Sequence, residues 1–551
     1  NGKLDRGALP APGEQAHRRG AYEPPRAGRE QVLAQLWEEL LQVPRVGRHD
    51  HFFDLGGHSL LAVQLVSRVR RVLGLELSLR NVFAAPVLED MAYSLGEAAS
   101  ATQTHIPRAD RARPIPLSPV QRQLWRWECS RTDRDHPALY CSALRLRGTL
   151  DRNAFVSALD AMVARHEILR TGIDAASDPE EPVQRIATRA RFPLSEFDLV
   201  DLPPERRELR VFELYGRCGS EPFDTDTGPL VRAYLIRLDE TTHVLILALH
   251  RLICDAWSLA VLIREAGMLY NAFRAGRGDP LPPLPVQFAD YAVWFRDWLR
   301  GETLQRHVDH YMRHLEGAPT ALTLPSDRPA PAQPSHRAGA VHLLCGGELS
   351  GAVLDLGKEY GITPSMTLLA AYALLLMRLS GQDDIVVGVV TGNRPRTELE
   401  ALIGPFAQAV PMRLRMRPDM TISDYLLGVR DVALGAQDYQ SLPADTIFEA
   451  MRLSSRPIAA LFRFQNEPRS PLHLDGLRVE PQPDGPGGRP DLLHVDVSLV
   501  VDQAPDQLLV NMHYATDRYD GTTAQGWIDR YRKVLAGMAE RPDRTIADWT
   551  F

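Results

Sequence analysis

The sequence has no apolar run of the roughly 18 residues that a membrane-crossing helix needs. Its first stretch, NGKLDRGALP, lacks the apolar core of a secretory signal. No membrane partner is expected, and the compartment expected is the cytoplasm. Cysteine is sparse. Cys129, Cys141, Cys218, Cys254 and Cys345 are scattered, odd in number, and no two have metal-ligand spacing. A disulfide-stapled scaffold is excluded, and reduced thiols are expected. The 17 histidines show no ligand spacing with cysteine or carboxylate, so no metal site is expected. Positive charge is not in excess either: 63 Lys and Arg against 70 Asp and Glu give a net charge of −7. That removes the electrostatic footprint of a nucleic-acid binder. What remains is a chain of 551 residues, 44% hydrophobic and 24% charged. This is the composition of a globular protein too long for one core.

Residues 10–28, PAPGEQAHRRGAYEPPRAG, are rich in proline, glycine and charge and read as a linker. Helical spacing follows. REQVLAQLWEELLQV places Val32, Leu36 and Leu40 on one face, and a helix from about Ser59 to Leu73 turns Leu61, Leu65, Val69 and Val72 inward. VLEDMAYSL closes a small helical bundle. The polar stretch 97–112, EAASATQTHIPRADRA, is a second linker. The rest mixes strand runs (ALYCSALRLRG, HVLILALH, DIVVGVVTG, LLVNMHYA) with helical ones (AFVSALDAMVARHEILR, SMTLLAAYALLLMRLS). RAGRGDPLPPLPVQ, at 274–287, reads as a hinge between two α/β lobes. The expected division is a tail and linker at 1–27, a helical domain at 28–96, a linker at 97–112, and lobes at 113–280 and 281–551.

The first chemical feature is DHFFDLGGHSLLAVQL. Gly56 and Gly57 permit a tight exposed turn, and Ser59 opens an amphipathic helix. A serine there is either an N-cap or a hydroxyl placed where free N–H groups and the helix dipole favour a phosphodiester. The stretch from Asp50 through Leu61 resembles the peptidyl carrier protein signature, D-x-F-F-x-L-G-G-x-S-L. The resemblance implies a four-helix carrier bundle with 4'-phosphopantetheine covalently attached to Ser59. It places Asp54, Gly56, Gly57 and His58 around the attachment point, where a phosphopantetheinyl transferase docks. NGKLDRGAL resembles the tail of an adenylation domain, with Lys3 at its lysine. The chain thus reads as a piece of a nonribosomal peptide synthetase, flanked by neighbouring synthetase domains.

Several later stretches resemble the condensation-domain family. LSPVQRQLW (117–125), RHEILRT (165–171), FDTDTGPLVRAYL (223–235), FADYAVWFRDW (288–298), VVTGNRPRTELEALIGPFAQAVPMR (389–413) and YATDRYD (514–520) stand in the family's order. The resemblance implies a two-lobed α/β fold like chloramphenicol acetyltransferase, with a tunnel between the lobes for two carrier arms. HRLICDAWS (250–258) stands at the family's H-H-x-x-x-D-G motif. His250 matches the first histidine and Asp255 the aspartate. Ala256 replaces the glycine, and Trp257 and Ser258 continue the match.

The second histidine, which handles the attacking amine in the family, is Arg251 here. A neutral imidazole accepts a proton near physiological pH. A guanidinium has no acceptor and stays charged. A pair between Arg251 and Asp255 is expected if the turn is helical, and His250 is expected to hold a structural hydrogen bond. Gln408 and Ala409 also replace the usual asparagine and threonine, and two later motifs, around AQDYQSLPADTIFE and RLSSRPIAALF, are interrupted or faint. HRLICDA resembles the H-R-x-x-x-D pattern of the X domains of glycopeptide synthetases. These follow the last carrier and recruit cytochrome P450 enzymes to the carrier-bound peptide. One reading is therefore a recruitment platform without amide-forming chemistry. Another is an atypical condensation domain that forms the peptide bond by positioning two carrier-bound substrates. A third is modification of the tethered residue.

Overall fold

The computed structural model describes residues 22–95, 105–130, 139–176, 178, 181–452, 458–465, 472–482, 491–504 and 507–548. The adenylation-like tail with Lys3 lies outside the described residues. The chain divides into two compact units, one around residues 22–95 and one holding nearly all residues from 105 onward.

The first unit has four helices: α1 (Arg29–Leu41), α2 (Ser59–Leu73), α3 (Leu79–Ala84) and α4 (Leu88–Ser94). Leu33, Leu36 and Leu40 bury one stripe of α1, and Ala62, Leu65 and Val69 bury one stripe of α2. Trp37 and Phe52 meet edge to face at 5.1 Å and are both fully buried. Val72 is not inward; it is 50% exposed. The buried stripe of α2 ends at Val69, which leaves Val72 past the core, two residues before Gly74 caps the helix with φ 65°. The six-residue α3 is set off by Ser78, whose Oγ accepts the Asn81 N–H at 3.1 Å.

The second unit begins with β1 (Ile115–Pro116), α5 (Pro119–Ser130), β2 (Leu139–Gly148), α6 (Arg152–Arg165), β3 (Thr171–Asp174), β4 (Val183–Ile186), β5 (Leu194–Asp198), α7 (Pro204–Ser220), β6 (Val231–Arg237), β7 (Thr242–His250) and α8 (Ala256–Arg274). It continues with α9 (Phe288–Trp298), α10 (Gly301–His314), β8 (Arg337–Cys345), α11 (Gly347–Glu359), α12 (Pro364–Ser380), β9 (Asp384–Thr391) and β10 (Gln408–Arg415). Then come α13 (Ile422–Asp438), α14 (Ala444–Ala450), β11 (Ala460–Gln465), β12 (Leu477–Pro481), β13 (Asp491–Leu492), β14 (Val497–Ala504), β15 (Gln507–Ala515) and α15 (Gly521–Glu540).

Two sheets carry this mixed α/β unit. One runs β12-β2-β7-β6-β5 and the other β10-β9-β11-β14-β15-β8-β13; a small sheet, β1-β4-β3, stands apart. The four strand runs read from composition are β2, β7, β9 and β15. The 274–287 stretch is a connection between α8 and α9, but it does not separate the two sheets. β12 comes from the second half of the chain and pairs with β2, Leu477 opposite Gly148 through Pro481 opposite Leu144. A cut at residue 280 leaves the five-stranded sheet one strand short.

The larger sheet buries one face against α12 and α15. α12 is sunk in apolar contacts along nearly its whole length, with Pro364 at its first turn and Gly381 (φ 69°) at its end. The Tyr531 and Tyr425 hydroxyls donate to the Leu368 and Ala370 carbonyls, at 3.1 and 3.2 Å. Among the described residues no single helix is long and apolar enough to cross a membrane. The bent pair α11 and α12 passes by composition, and the apolar surface of α12 lies in this core. In the RHEILRT stretch, His166 Nε2 and Arg165 Nε both meet Glu265 Oε2, at 2.8 and 3.0 Å, tying α6 to α8. Burial pushes the His166 imidazole below its ordinary range, so the ion pair is Arg165 with Glu265.

Three histidines line α10. His310 stacks on the Tyr439 ring, centroids 3.8 Å apart and planes within 13°. His307 meets Trp298 and Tyr439 edge-on, and His314 Nε2 accepts the Arg413 N–H at 3.0 Å. Burial first, then the neighbouring His314, Arg313 and His307, lowers His310 to about 4. Burial also lowers His307 and His314. The folded state thus binds these protons less readily than the unfolded chain does. The contribution to stability is full above the ordinary histidine value of 6.5 and is lost as pH falls from there toward about 4. His310→Phe keeps the stack and removes the titration. It is expected to flatten the loss of urea-unfolding stability across that window. An unchanged pH profile would remove His310 from the account.

Candidate functional site

The first site is the turn before α2. Gly56 has φ +100°, open to glycine and strained for other residues. Gly57 is required for a different reason: a Cβ there would lie 2.4 Å from the buried Phe52 ring. The turn ends at His58, which takes the N-cap position in extended conformation without a side-chain cap bond, so Ser59 is the first residue of the helix rather than its cap. The N-cap reading of Ser59 is therefore corrected: the capping position lies one residue earlier. Burial lowers the His58 imidazole below its ordinary range, and its Nδ1 is buried with no hydrogen-bond partner among the described residues. Asp54 lies exposed on the outside of the turn, 3.6 Å from His51.

The second site is residues 250–258. His250 closes β7 and is buried. Its backbone N–H donates to the Leu230 carbonyl at 2.9 Å. Its Nδ1 accepts the Leu252 N–H at 3.2 Å, and its ring meets Phe223 edge-on at 6.0 Å. A non-helical turn follows, and α8 starts only after Asp255. The helical geometry needed for an Arg251–Asp255 pair is absent, and the pair does not form.

Asp255 faces the other way. Its Oδ1 accepts the Ser258 N–H at 2.8 Å as the cap of α8, the Ser258 hydroxyl at 2.7 Å, and Arg394 Nη2 at 3.1 Å. Its Oδ2 accepts the Phe406 and Ala407 N–H groups, both at 3.1 Å. Arg394 and Asp255 side chains are 3% and 5% exposed, and the guanidinium lies 4.0 Å above the Phe406 ring. The Ser258 hydroxyl also bridges to Gly404, and Trp257 Nε1 donates to the Glu400 carbonyl at 2.8 Å. Ala256 is the first residue of α8. The aspartate, serine and tryptophan of the motif thus clamp the β7–α8 turn to the 394–407 segment. Gln408 opens β10 buried, its amide donating to the Gln440 carbonyl.

Arg251 stands outside the clamp. Its guanidinium carbon lies 5.5 Å from the centre of the Tyr140 ring on β2, and its Nε is buried with no hydrogen-bond partner among the described residues. Arg394 and Tyr140 both sit in stretches that matched a motif or a strand run, yet neither had a site role legible in the sequence. Among the described residues no group of three or more metal-ligating side chains comes together.

Residues 111–551 match the condensation domain family. The chain belongs to that family. Residues 31–93 match the phosphopantetheine attachment site family. The condensation domain is thus preceded by a carrier domain, as in nonribosomal peptide synthetases. Malpibaldin synthetase of Mortierella alpina is 35% identical over 557 residues, which cover 99% of this chain and 10% of that protein. Surfactin synthase subunit 1 of Bacillus subtilis is 32% identical over 99% of this chain and 15% of its own length. The chain therefore spans a small part of these relatives. Among solved structures, the X-domain from teicoplanin biosynthesis superposes with a TM-score of 0.72 at 28% identity, covering 81% of this chain and 100% of that one. The same domain in complex with OxyB gives 0.71 at 29%, covering 81% of this chain and 98% of that one.

The carrier match implies a covalently attached 4'-phosphopantetheine. The turn before α2 fits such a group: the first N–H groups of the helix have no side-chain cap, and the buried His58 Nδ1 lacks a partner among the described residues.

Proposed function

We propose that Ser59 carries the phosphopantetheine arm, installed by a phosphopantetheinyl transferase, and that the arm tethers a peptide. The condensation domain presents this peptide to an enzyme acting in trans without forming an amide itself. The observation that carries this reading is the state of the two positions 250 and 251, where the family has its histidines. The second histidine is Arg251, which accepts no proton. The first, His250, commits its Nδ1 lone pair to the Leu252 N–H and is only 2% exposed, so neither residue of the pair offers a base to an acceptor amine. The likeness to a teicoplanin X-domain solved together with OxyB favours a tailoring oxygenase of the cytochrome P450 class as the partner.

The second reading, amide formation by positioning alone, is favoured by the 35% identity to malpibaldin synthetase. One experiment separates them. The holo-chain is loaded with a peptidyl donor and mixed with an aminoacyl carrier, and in parallel with a tailoring P450 on a sizing column. The expected result is co-elution with the oxygenase and no amide above background. Amide formed at about one turnover per second or faster, an ordinary enzymatic rate, would overturn the proposal in favour of the second reading.

A further inference from the structure

The clamp leaves a charge over. Asp255, the nearest carboxylate in sequence to Arg251, is consumed by Arg394 and by four further hydrogen bonds. No carboxylate pairs with Arg251 among the described residues, and its buried Nε–H has no acceptor there. A buried donor left unmatched is unfavourable, so a molecule that supplies an acceptor at this point is favoured.

The surroundings define that acceptor. The Arg251 guanidinium carbon lies 5.5 Å from the Tyr140 ring centre, and an acceptor for its Nε–H must approach in the guanidinium plane. A second guanidinium, Arg463, also acts on Tyr140. Burial raises the phenol above its ordinary range, and the two arginines, Arg251 before Arg463, oppose that rise. Arg463 belongs to the open face of the larger sheet: it alternates with Phe462, which is buried on the helix side, and its row across the sheet is Arg463, Val500, Asn511 and His342. Arg251 follows the end of β7 in the smaller sheet and Arg463 lies on β11 of the larger one, and the charges of both act on the Tyr140 phenol. A guanidinium edge presents Nε–H and one Nη–H in parallel, the spacing of a carboxylate.

We propose that Arg251, with Tyr140 beneath it, is a binding site for a carboxylate at the end of a pantetheine arm. The carboxylate would be an acidic side chain of the tethered peptide. The site is independent of any docking partner, so the fate of the recruitment reading does not decide it.

The test uses two arms differing in one group. S-(Carboxymethyl)pantetheine and S-(carbamoylmethyl)pantetheine are equal in size, and only the first is charged. Calorimetric titration of the full chain is expected to show the carboxylate binding about tenfold more tightly, the scale of one charge-assisted hydrogen bond. Arg251→Gln is expected to erase that preference while leaving the affinity for the amide unchanged. Free acetate is the third probe. If it binds as tightly as the carboxymethyl arm, the site takes small anions from solution and the tethered source is wrong. Equal affinities in the parent chain, a preference that survives Arg251→Gln, or no binding of either arm would each overturn the proposal. Arg463→Gln, remote from the motif in sequence, is a second variant and is expected to weaken the preference without abolishing it.

Discussion

Asp255→Ala is expected to cost about 3–5 kcal/mol of unfolding free energy, the scale for removing one partner of a buried ion pair. The residue bears no comparison with a catalytic acid that can be deleted while the fold stands. Its carboxylate is the shared acceptor for Arg394, for the Ser258 N–H and hydroxyl, and for the Phe406 and Ala407 N–H groups. Truncation leaves a guanidinium that is 3% exposed without its counter-charge and uncaps α8. Arg251→Ala, which removes a contact with the Tyr140 ring, is expected to cost about 1 kcal/mol or less, the scale of a cation–π contact. Equilibrium urea unfolding of the two variants measures the contrast. The pair Asp255→Leu with Arg394→Met is expected to recover part of the loss, because a buried ion pair is replaceable by apolar groups when both charges leave together. An Asp255→Ala chain as stable as its parent would mean that the clamp does not hold the β7–α8 turn.

That contrast also marks what could be read from the sequence. The local features were legible because their causes are local. β7 is an apolar run ended by a histidine, α12 a long apolar helix between Thr363 and Gly381, and the turn before α2 a pair of glycines ahead of a helix. The Asp255–Arg394 pair was not, because 139 residues separate the partners and nothing near either one signals the other. Sequence spacing favoured Arg251 as the partner. It failed because i,i+4 proximity requires a helix, and Asp255 is the cap before one. The β12 crossover escaped for the same reason: a five-residue strand carries no mark of the sheet it will join. Val72 shows the limit within a helix, where the period identifies a stripe but not how far along it the core extends.

The condensation motif thus separates into two parts with different physical duties. His250 Nδ1 and the polar side-chain atoms of Asp255, Trp257 and Ser258 are held by the protein's own backbone, by Arg394 or by one another, and would be whether or not a reaction took place. Arg251 alone of the motif's polar side chains is left without a hydrogen-bond partner at its Nε among the described residues. Architecture and chemistry are therefore expected to separate by substitution: changes in the first group should act on stability, and changes at Arg251, on the proposal above, should act on what the site binds.

The same separation governs the carrier domain. Ser59→Ala is expected to abolish the mass gain that a phosphopantetheinyl transferase produces on the parent chain, from complete conversion to none. Two other serine hydroxyls of the carrier unit are committed within it. Ser78 Oγ caps α3 and donates to Asn81 Oδ1 at 2.9 Å, and Ser94 Oγ donates to the Met91 carbonyl at 2.8 Å. Alanine at the first position of a helix is a good helix former, and Ser59 does not occupy the cap. Carrier stability should then stay within about 0.5 kcal/mol of the parent, as for substitutions away from caps and core. Intact-protein mass spectrometry after transferase treatment reads the modification, and thermal unfolding reads the fold. Ser78→Ala is the informative control: it should lose helix-cap stability, about 1 kcal/mol, and keep the full mass gain. A mass gain that persists in Ser59→Ala would place the arm on another hydroxyl and would undo the assignment of the Gly56–His58 turn as its cradle.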